Sequence, residues 1–497
     1  MRKFDWRWLV LGVAVVGVVI LAVVMNNRVE GDPVSQSLQG ITIDNSDLKV
    51  NWERYKNVDV ELTESLTIAE SGTYHLTGSL EEGQIIVDAG VGEVRLILDG
   101  VLITNSTGPA ILAYNAENLV IELAGENVLA DGANYDAGYD EDVDGVIYSK
   151  ADLALTGEGS LEIRANHGDG IAGKDDVVIR GGDYNIIALD DGVRGKDSVY
   201  ITNGKLVIDA RNDAIKSTNI TDFGKGFVLI EGGEIEISTL DEGLQSDRTV
   251  LVNGGTINVT KSYEGIEAQM ITINGGVVNI VAMDDGMNTS SESNDTSGQT
   301  KGGWADADEN CVITVNGGSV YINSAGDGID SNGYLIFNGG ETVVDGPVNN
   351  GNGALDAGLA ITIQGGSVIA VGSSGMAESL GANSSVCNLS VYFDTTQSAG
   401  TLVEVRDADG EVILSHEAKK TFSHMAIGSK DLTLAGSYAI YLDGEKYQDF
   451  IITEVVTTIG NNTGMGPGGM PDDMPGDIPE DIPSDIPTPP DGMPSRR

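Results

Sequence analysis

Carboxylates recur in this chain at a spacing that a metal ion could use. Asp169, Asp191, Asp213, Glu242, Glu264, Asp285 and Asp327 each stand immediately before a Gly or an Ala. A second acid precedes several of them, at Asp190, Asp241 and Asp284. Three positions after each acid stand Ala172, Arg194, Lys216, Gln245, Glu267, Asn288 and Asp330, and Asp356 continues the series. If equivalent positions lie over one another, carboxylates face carboxylates on neighbouring strands, which is destabilising unless cations or water intervene. The donors are hard oxygens, with which Ca²⁺ is better matched than Zn²⁺ or Cu²⁺. The competing reading is structural: each Asp-Gly forms a tight turn, with the acid accepting hydrogen bonds from its own backbone. Arg194 and Lys216 either neutralise the series or contact an acidic sugar.

Two other loops invite a cation. Asp140, Asp142, Asp144 and Gly145 form the opening half of a calcium loop, although Ala151 stands where the closing Glu belongs. Asp306, Asp308 and Asn310 end a polar insertion at about 288–310, whose one aromatic, Trp304, either stacks on a sugar face or packs inward.

Such a series needs a scaffold that repeats. Segments such as VVIRGGDYNIIALDDGVRGKDS, VLVNGGTINVTKSYEGIEAQ and VITVNGGSVYINSAGDGIDSNG share one rhythm. Each holds an alternating strand, a Gly-containing turn, a second alternating strand and a D/E-G turn. Alternating Val and Ile give each strand one apolar face, and a unit this short cannot bury that face alone, so copies must stack. The expected fold is all-β: a right-handed single-stranded parallel β-helix with coils of about 21–22 residues. Stacking makes a column of the turn asparagines Asn203, Asn253, Asn274, Asn316 and Asn338, which would adopt the left-handed conformation and bond amide to amide.

Composition bounds the rest. The formal charge of −48, from 76 acidic against 28 basic residues, leaves no basic footprint for nucleic acid and makes cations natural partners. Cys311 and Cys387 are too far apart in sequence to suggest a disulfide framework or zinc site, and His75, His167, His416 and His424 lack ligand spacing. At the start, Arg2, Lys3 and Arg7 flank an uncharged run from Leu9 to Met25, with Trp6 and Trp8 suited to an interface. We expect a single-pass anchor over residues 1–28 that places the remainder on the outer face of the cell membrane; a cleaved signal, and hence secretion, is the alternative. Residues 29–80 read as linker and cap, 81–385 as the coiled body, 386–458 as a small β module, and 459–497 as a Pro-, Gly-, Met- and Asp-rich tail that cannot form a core.

With these turns in view, the chain resembles the bacterial surface carbohydrate-binding proteins built on a pectate-lyase-like β-helix. The likeness rests on LDGVLITNSTGPAI, GVIYSKADLALTGEGSL, KSYEGIE, GDGIDSNG, GNGALDAG and GSSGMAES. It implies non-catalytic binding of polysaccharides such as polygalacturonate or cellulose, with Ca²⁺ on the coils. Two alternatives stand beside it. A polysaccharide lyase of this fold would use Arg194 or Lys216 as base, and an adhesin or spacer would contact other proteins.

Overall fold

The computed structural model describes residues 45–290 and 307–461, together with Ile41 and Ile43. The described chain is all-β apart from two single-turn 3₁₀ helices, Asp47–Lys49 and Trp52–Arg54. One sheet of 36 strands runs through the body, and its coil-to-coil pairings are parallel. Each coil supplies three strands rather than two. Ser198–Ile201 in the first row pairs with Phe227–Ile230, and Lys205–Ala210 in the second with Glu234–Ser238. A third row of three-residue strands follows the acidic turn: Val193–Gly195 pairs with Ile215–Ser217. These strands are too short to show alternation, so they read as turn in the sequence. Val, Ile and Leu from all three rows form one continuous core.

Equivalent residues lie 22 positions apart in the regular coils, as for Asp169 and Asp191. The separation rises to 29 between Asp213 and Glu242, where the turn Asn219–Gly226 bulges out. It rises to 42 between Asp285 and Asp327, across the insertion. Asn288 itself belongs to the strand Met287–Thr289, so the insertion begins after it. Trp304 and Asp306 lie outside the described residues, as do the expected anchor and the acidic tail.

The asparagine column forms, with two corrections. Asn274 donates to Asn253, Asn316 to Asn274 and Asn338 to Asn316, at 2.7, 2.7 and 2.8 Å. Asn203 stands one position out of line: Thr202 makes the equivalent backbone bond, to Ile179, so Asn203 falls where other coils carry Gly. Nor do the asparagines take the left-handed conformation; the second glycine of each turn does, as at Gly276 (φ 85°) and Gly318 (φ 80°). A side chain on Gly276 would also press on Gly255 O at 2.6 Å. Glycine therefore absorbs the turn, leaving asparagine free to pair along the stack.

Stacking starts earlier than expected, at Asn57–Leu62, which pairs with Gly72–Leu80. The residues before it act as a strap. Trp52 packs on Val120, Ala154 and Val178, Ser46 bonds Asn118 at 2.7 Å, and Asp47 accepts two bonds from Arg180 at 2.8 and 2.9 Å. Ile41 and Ile43 lie against Phe227, Leu229 and Leu251. The strap thus crosses successive coils against the direction of the stack, covering an outward apolar stripe of the first row.

At the other end Ser367–Gly372 pairs antiparallel with Phe422–Ser429, which covers the end of the second row and begins a second core around Leu389, Val405, Phe422 and Ile440. An antiparallel four-stranded sheet completes this module. Asp345 latches it to the coils: the fully buried carboxylate meets His416 Nε2 at 3.0 Å, Lys419 N at 2.9 Å and Tyr321 OH at 3.0 Å. His424, read above as lacking any ligand spacing, is buried against Ser390 Oγ, and burial pushes its pKa down to about 4. Burial alone would raise the Asp345 carboxyl, but the His416 and Lys419 bonds hold it below its ordinary value. A carboxylate with a depressed pKa stabilises the fold above its unfolded pKa, and this contribution fades as pH falls through the folded value. Asp345→Asn should therefore cost roughly 3 kcal/mol at neutral pH. In urea unfolding the gap from wild type should shrink below the ordinary Asp pKa; an equal gap at both pH values would remove Asp345 as the latch.

Candidate functional site

The acidic turns owe their shape to glycine. A side chain at Gly192 would lie 2.4 Å from Ile208 Cγ2 and 2.6 Å from Ala214 O, so the third row tucks beneath the second where this position is glycine, or at most the single methyl of Ala214. The preceding acid is thereby fixed at the shoulder of each coil. Asp169 Oδ1 accepts from Asp191 N at 3.0 Å, Asp191 Oδ1 from Asp213 N at 3.1 Å, and Asp213 Oδ1 from Glu242 N at 3.0 Å. Further along, Asp285 Oδ1 accepts from Asp327 N at 2.6 Å. The turn reading is therefore right in kind, but the partner is the next coil's backbone rather than the acid's own. One oxygen of each of these four carboxylates ties coils together and the other remains for a partner.

What that second oxygen meets divides the column in two. In the first half Arg194 Nε lies 2.6 Å from Asp169 Oδ2, its Nη2 lies 2.6 Å from Asp144 Oδ2, and Asp191 lies 3.5 Å away. Lys216 Nζ bonds Asp213. Burial opposes both positive charges, but the surrounding carboxylates outweigh it and hold both groups firmly protonated.

The second half carries Gln245, Glu267, Asn288 and Asp330 where the first has Arg194 and Lys216. Among the described residues no Lys, Arg or His nitrogen pairs with Glu242, Glu264, Asp285, Asp327 or Asp330. Burial, reinforced by the Asp213 carboxyl, pushes Glu242 up to about 11. Burial and Glu267 raise Glu264 to about 8, and burial with Asp284 raises Asp285 to about 7. Asp327 rises to about 8 and Asp330 to about 7, both chiefly by burial and then by neighbouring acids that include Asp285 and Asp356. Glu378 joins this group, pushed up to about 7 by burial and Asp356. It follows the last acidic turn without a repeat position, so no periodic signal could have placed it here.

Carboxylate oxygens within 4.8 Å of one another gather in the sets Glu242–Glu264–Glu267, Asp285–Asp327–Asp330, Asp213–Asp241–Glu242 and Asp169–Asp190–Asp191. Two oxygens on one Ca²⁺ can be up to about 5 Å apart, so these sets fit that ion. The first two sets draw their acids from three residues apiece on neighbouring coils, close enough for one ion to bridge them. Two expectations are not met. Asp284 stands apart from these sets, held by the Tyr263 hydroxyl, whose pKa its hydrogen bond pushes up to about 12. Asp140, Asp142 and Asp144 do not converge on a centre; they turn to Lys150, Lys174 and Arg194 respectively. The missing twelfth-position acid leaves nothing to draw them together.

Raised carboxyl pKa values fix the sign of a pH effect. The folded chain holds protons that the unfolded chain has already lost, so metal-free stability should fall as pH rises from about 4 to about 8. Thermal melts in EDTA should show a lower Tm at pH 8 than at pH 5, and Asp327→Asn combined with Asp330→Asn should flatten that slope. A Tm that climbs over this range would contradict the raised carboxyls.

Comparisons with known proteins bear on the same residues. A family model described as "Carbohydrate-binding domain-containing protein" matches residues 63–309. A protein of that description from Acetivibrio thermocellus is 37% identical over 153 residues, covering 30% of this chain and 52% of the relative. The chain thus spans about half the length of the curated relative it matches. A solved structure titled "Structure of the polysaccharide lyase-like protein from C. thermocellum, Gadolinium derivative" is 30% identical, with 48% of this chain and 97% of that chain covered and a TM-score of 0.39. Over residues 63–309, which carry the column from Asp169 to Asp285, the chain is similar to carbohydrate-binding domain-containing proteins.

Proposed function

We propose that this chain is a non-catalytic polysaccharide-binding protein of the cell surface, built as a right-handed parallel β-helix, whose hold on acidic glycan such as polygalacturonate depends on Ca²⁺. The observation that carries the reading is the gathering of partly buried carboxylates along the second half of the column, in a chain similar to carbohydrate-binding domain-containing proteins. The sets Glu242–Glu264–Glu267 and Asp285–Asp327–Asp330 would hold the ion, which supplies open coordination positions to the oxygens of a uronate. Without it, an acidic glycan and an acidic protein repel. Leu240, Tyr263 and Met283 flank these sets and are about half exposed, offering apolar contact to the C–H face of a sugar. Repetition along the stack multiplies weak contacts into avidity. Export and attachment would fall to residues 1–28.

The lyase reading loses its best candidates on physical grounds. A base must give up its proton near neutral pH, whereas Arg194 and Lys216 are enclosed by carboxylates that keep them charged. Their role is to neutralise the first half of the column.

Sedimentation with insoluble pectin tests the proposal. The exported region should pellet with the polymer in Ca²⁺ and remain in solution in EDTA, and Asp327→Asn with Asp330→Asn should weaken retention at least severalfold. No ultraviolet-absorbing unsaturated product should accumulate from polygalacturonate. Retention that ignores EDTA would take calcium out of the mechanism, and accumulating unsaturated product would restore the lyase.

A further inference from the structure

A second recognition site lies away from the carboxylates. The acidic column sits between the second and third rows, whereas the turn Asn219–Gly226 joins the third row to the first and opens beside a cavity of about 210 Å³. Phe223 stands at the tip of that turn with 80% of its surface exposed. An aromatic ring so placed contributes little to folding.

The turn beneath it is rigid. Asn219 Oδ1 accepts from Thr221 N and Asp222 N, both at 3.0 Å, while its Nδ2 reaches Asp197 at 2.6 Å. Arg248 grips the turn's carbonyls, through Nε to Asn219 O at 3.3 Å and through Nη2 to Ile220 O. Lys225 Nζ, 3.1 Å from Asp197, fixes the far end. The backbone that carries the ring is therefore set before any ligand arrives, which lowers the ordering cost of binding.

The cavity beside the ring carries polar groups in addition to apolar wall. Gln269, only partly exposed, lines it, and its side-chain amide has no hydrogen-bond partner among the described residues. Asn310 adds a second amide at the rim. One apolar ring flanked by amides and a guanidinium matches a pyranose, which offers a C–H face to the ring and hydroxyls to the donors and acceptors around it.

We propose that Phe223, Gln269, Arg248 and Asn310 form a metal-independent subsite for one pyranose unit of the glycan, resting on the polysaccharide-binding reading above. The site extends the bound polymer from the acidic column to a second turn of the stack. The chemistry is shared by neutral and acidic sugars, so two probes separate the sources. Isothermal titration of the full chain with cellohexaose and with hexagalacturonate, in Ca²⁺ and in EDTA, reads the subsite directly. Phe223→Ala should weaken binding of at least one probe about three- to tenfold, Gln269→Ala should weaken the same probe, and Phe223→Tyr should retain the affinity. With cellohexaose, whose binding needs no bridging cation, the effect should persist in EDTA, and the calcium-induced change in Tm should be the same in all three variants. Wild-type affinity in both alanine variants would overturn the subsite while leaving the calcium site intact. Failure of the wild-type chain to bind either probe would overturn the subsite and the polysaccharide-binding reading together.

Discussion

Parallel strands stacked in register convert each sequence position into a column, with neighbours about 4.8 Å apart. Apolar columns gain from this, since every added coil extends one continuous core. Amide columns gain as well, because asparagine both donates and accepts, so Asn253, Asn274, Asn316 and Asn338 form a chain of bonds. Carboxylate columns lose. The acids before each glycine cannot move apart without leaving the shoulder of the coil, and several already accept a backbone N–H from the next coil. Their charge has to be met by something else.

The protein meets it in two ways. From Asp169 to Asp213 a guanidinium and an ammonium enter the column, and the result is an internal salt network of Arg194, Lys216 and their acids. From Glu242 onward no Lys, Arg or His nitrogen pairs with Glu242, Glu264, Asp285, Asp327 or Asp330 among the described residues, and burial with neighbouring acids raises these carboxyls. The two stretches thus share one architecture, differing at the position three residues after the acid: Ala, Arg and Lys in the first, Gln, Glu, Asn and Asp in the second.

Much of this was legible in the sequence because the column positions are periodic. The Asn-Gly-Gly and D/E-G turns announced the stack, its approximate repeat and the acidic series. What escaped notice lacks a period. The third row is mostly three residues long, Asn203 sits one place later in a turn of unchanged length, and Glu378 follows the last repeat. The strap from Ile41 to Arg54 carries no alternation because it crosses the coils rather than joining them. The Asp140–Asp144 loop shows the opposite failure: its spacing suggests a cation site, but Lys150, Lys174 and Arg194 approach from three directions and pull the acids apart. Spacing along a loop does not record what the neighbouring coils bring to it.

The strap also determines how the molecule carries force. Its contacts run from Leu251 back to Val120, so tension applied through Ile41 enters at the flank of the stack and not at its first coil. Pulled along the stack axis, the Arg180–Asp47 pair, the Ser46–Asn118 bond and the Trp52 packing share the load side by side in shear. Pulled outward, the same contacts separate in succession, beginning with Ile41 and Ile43. Resistance of the strap to detachment therefore depends on the direction of the pull.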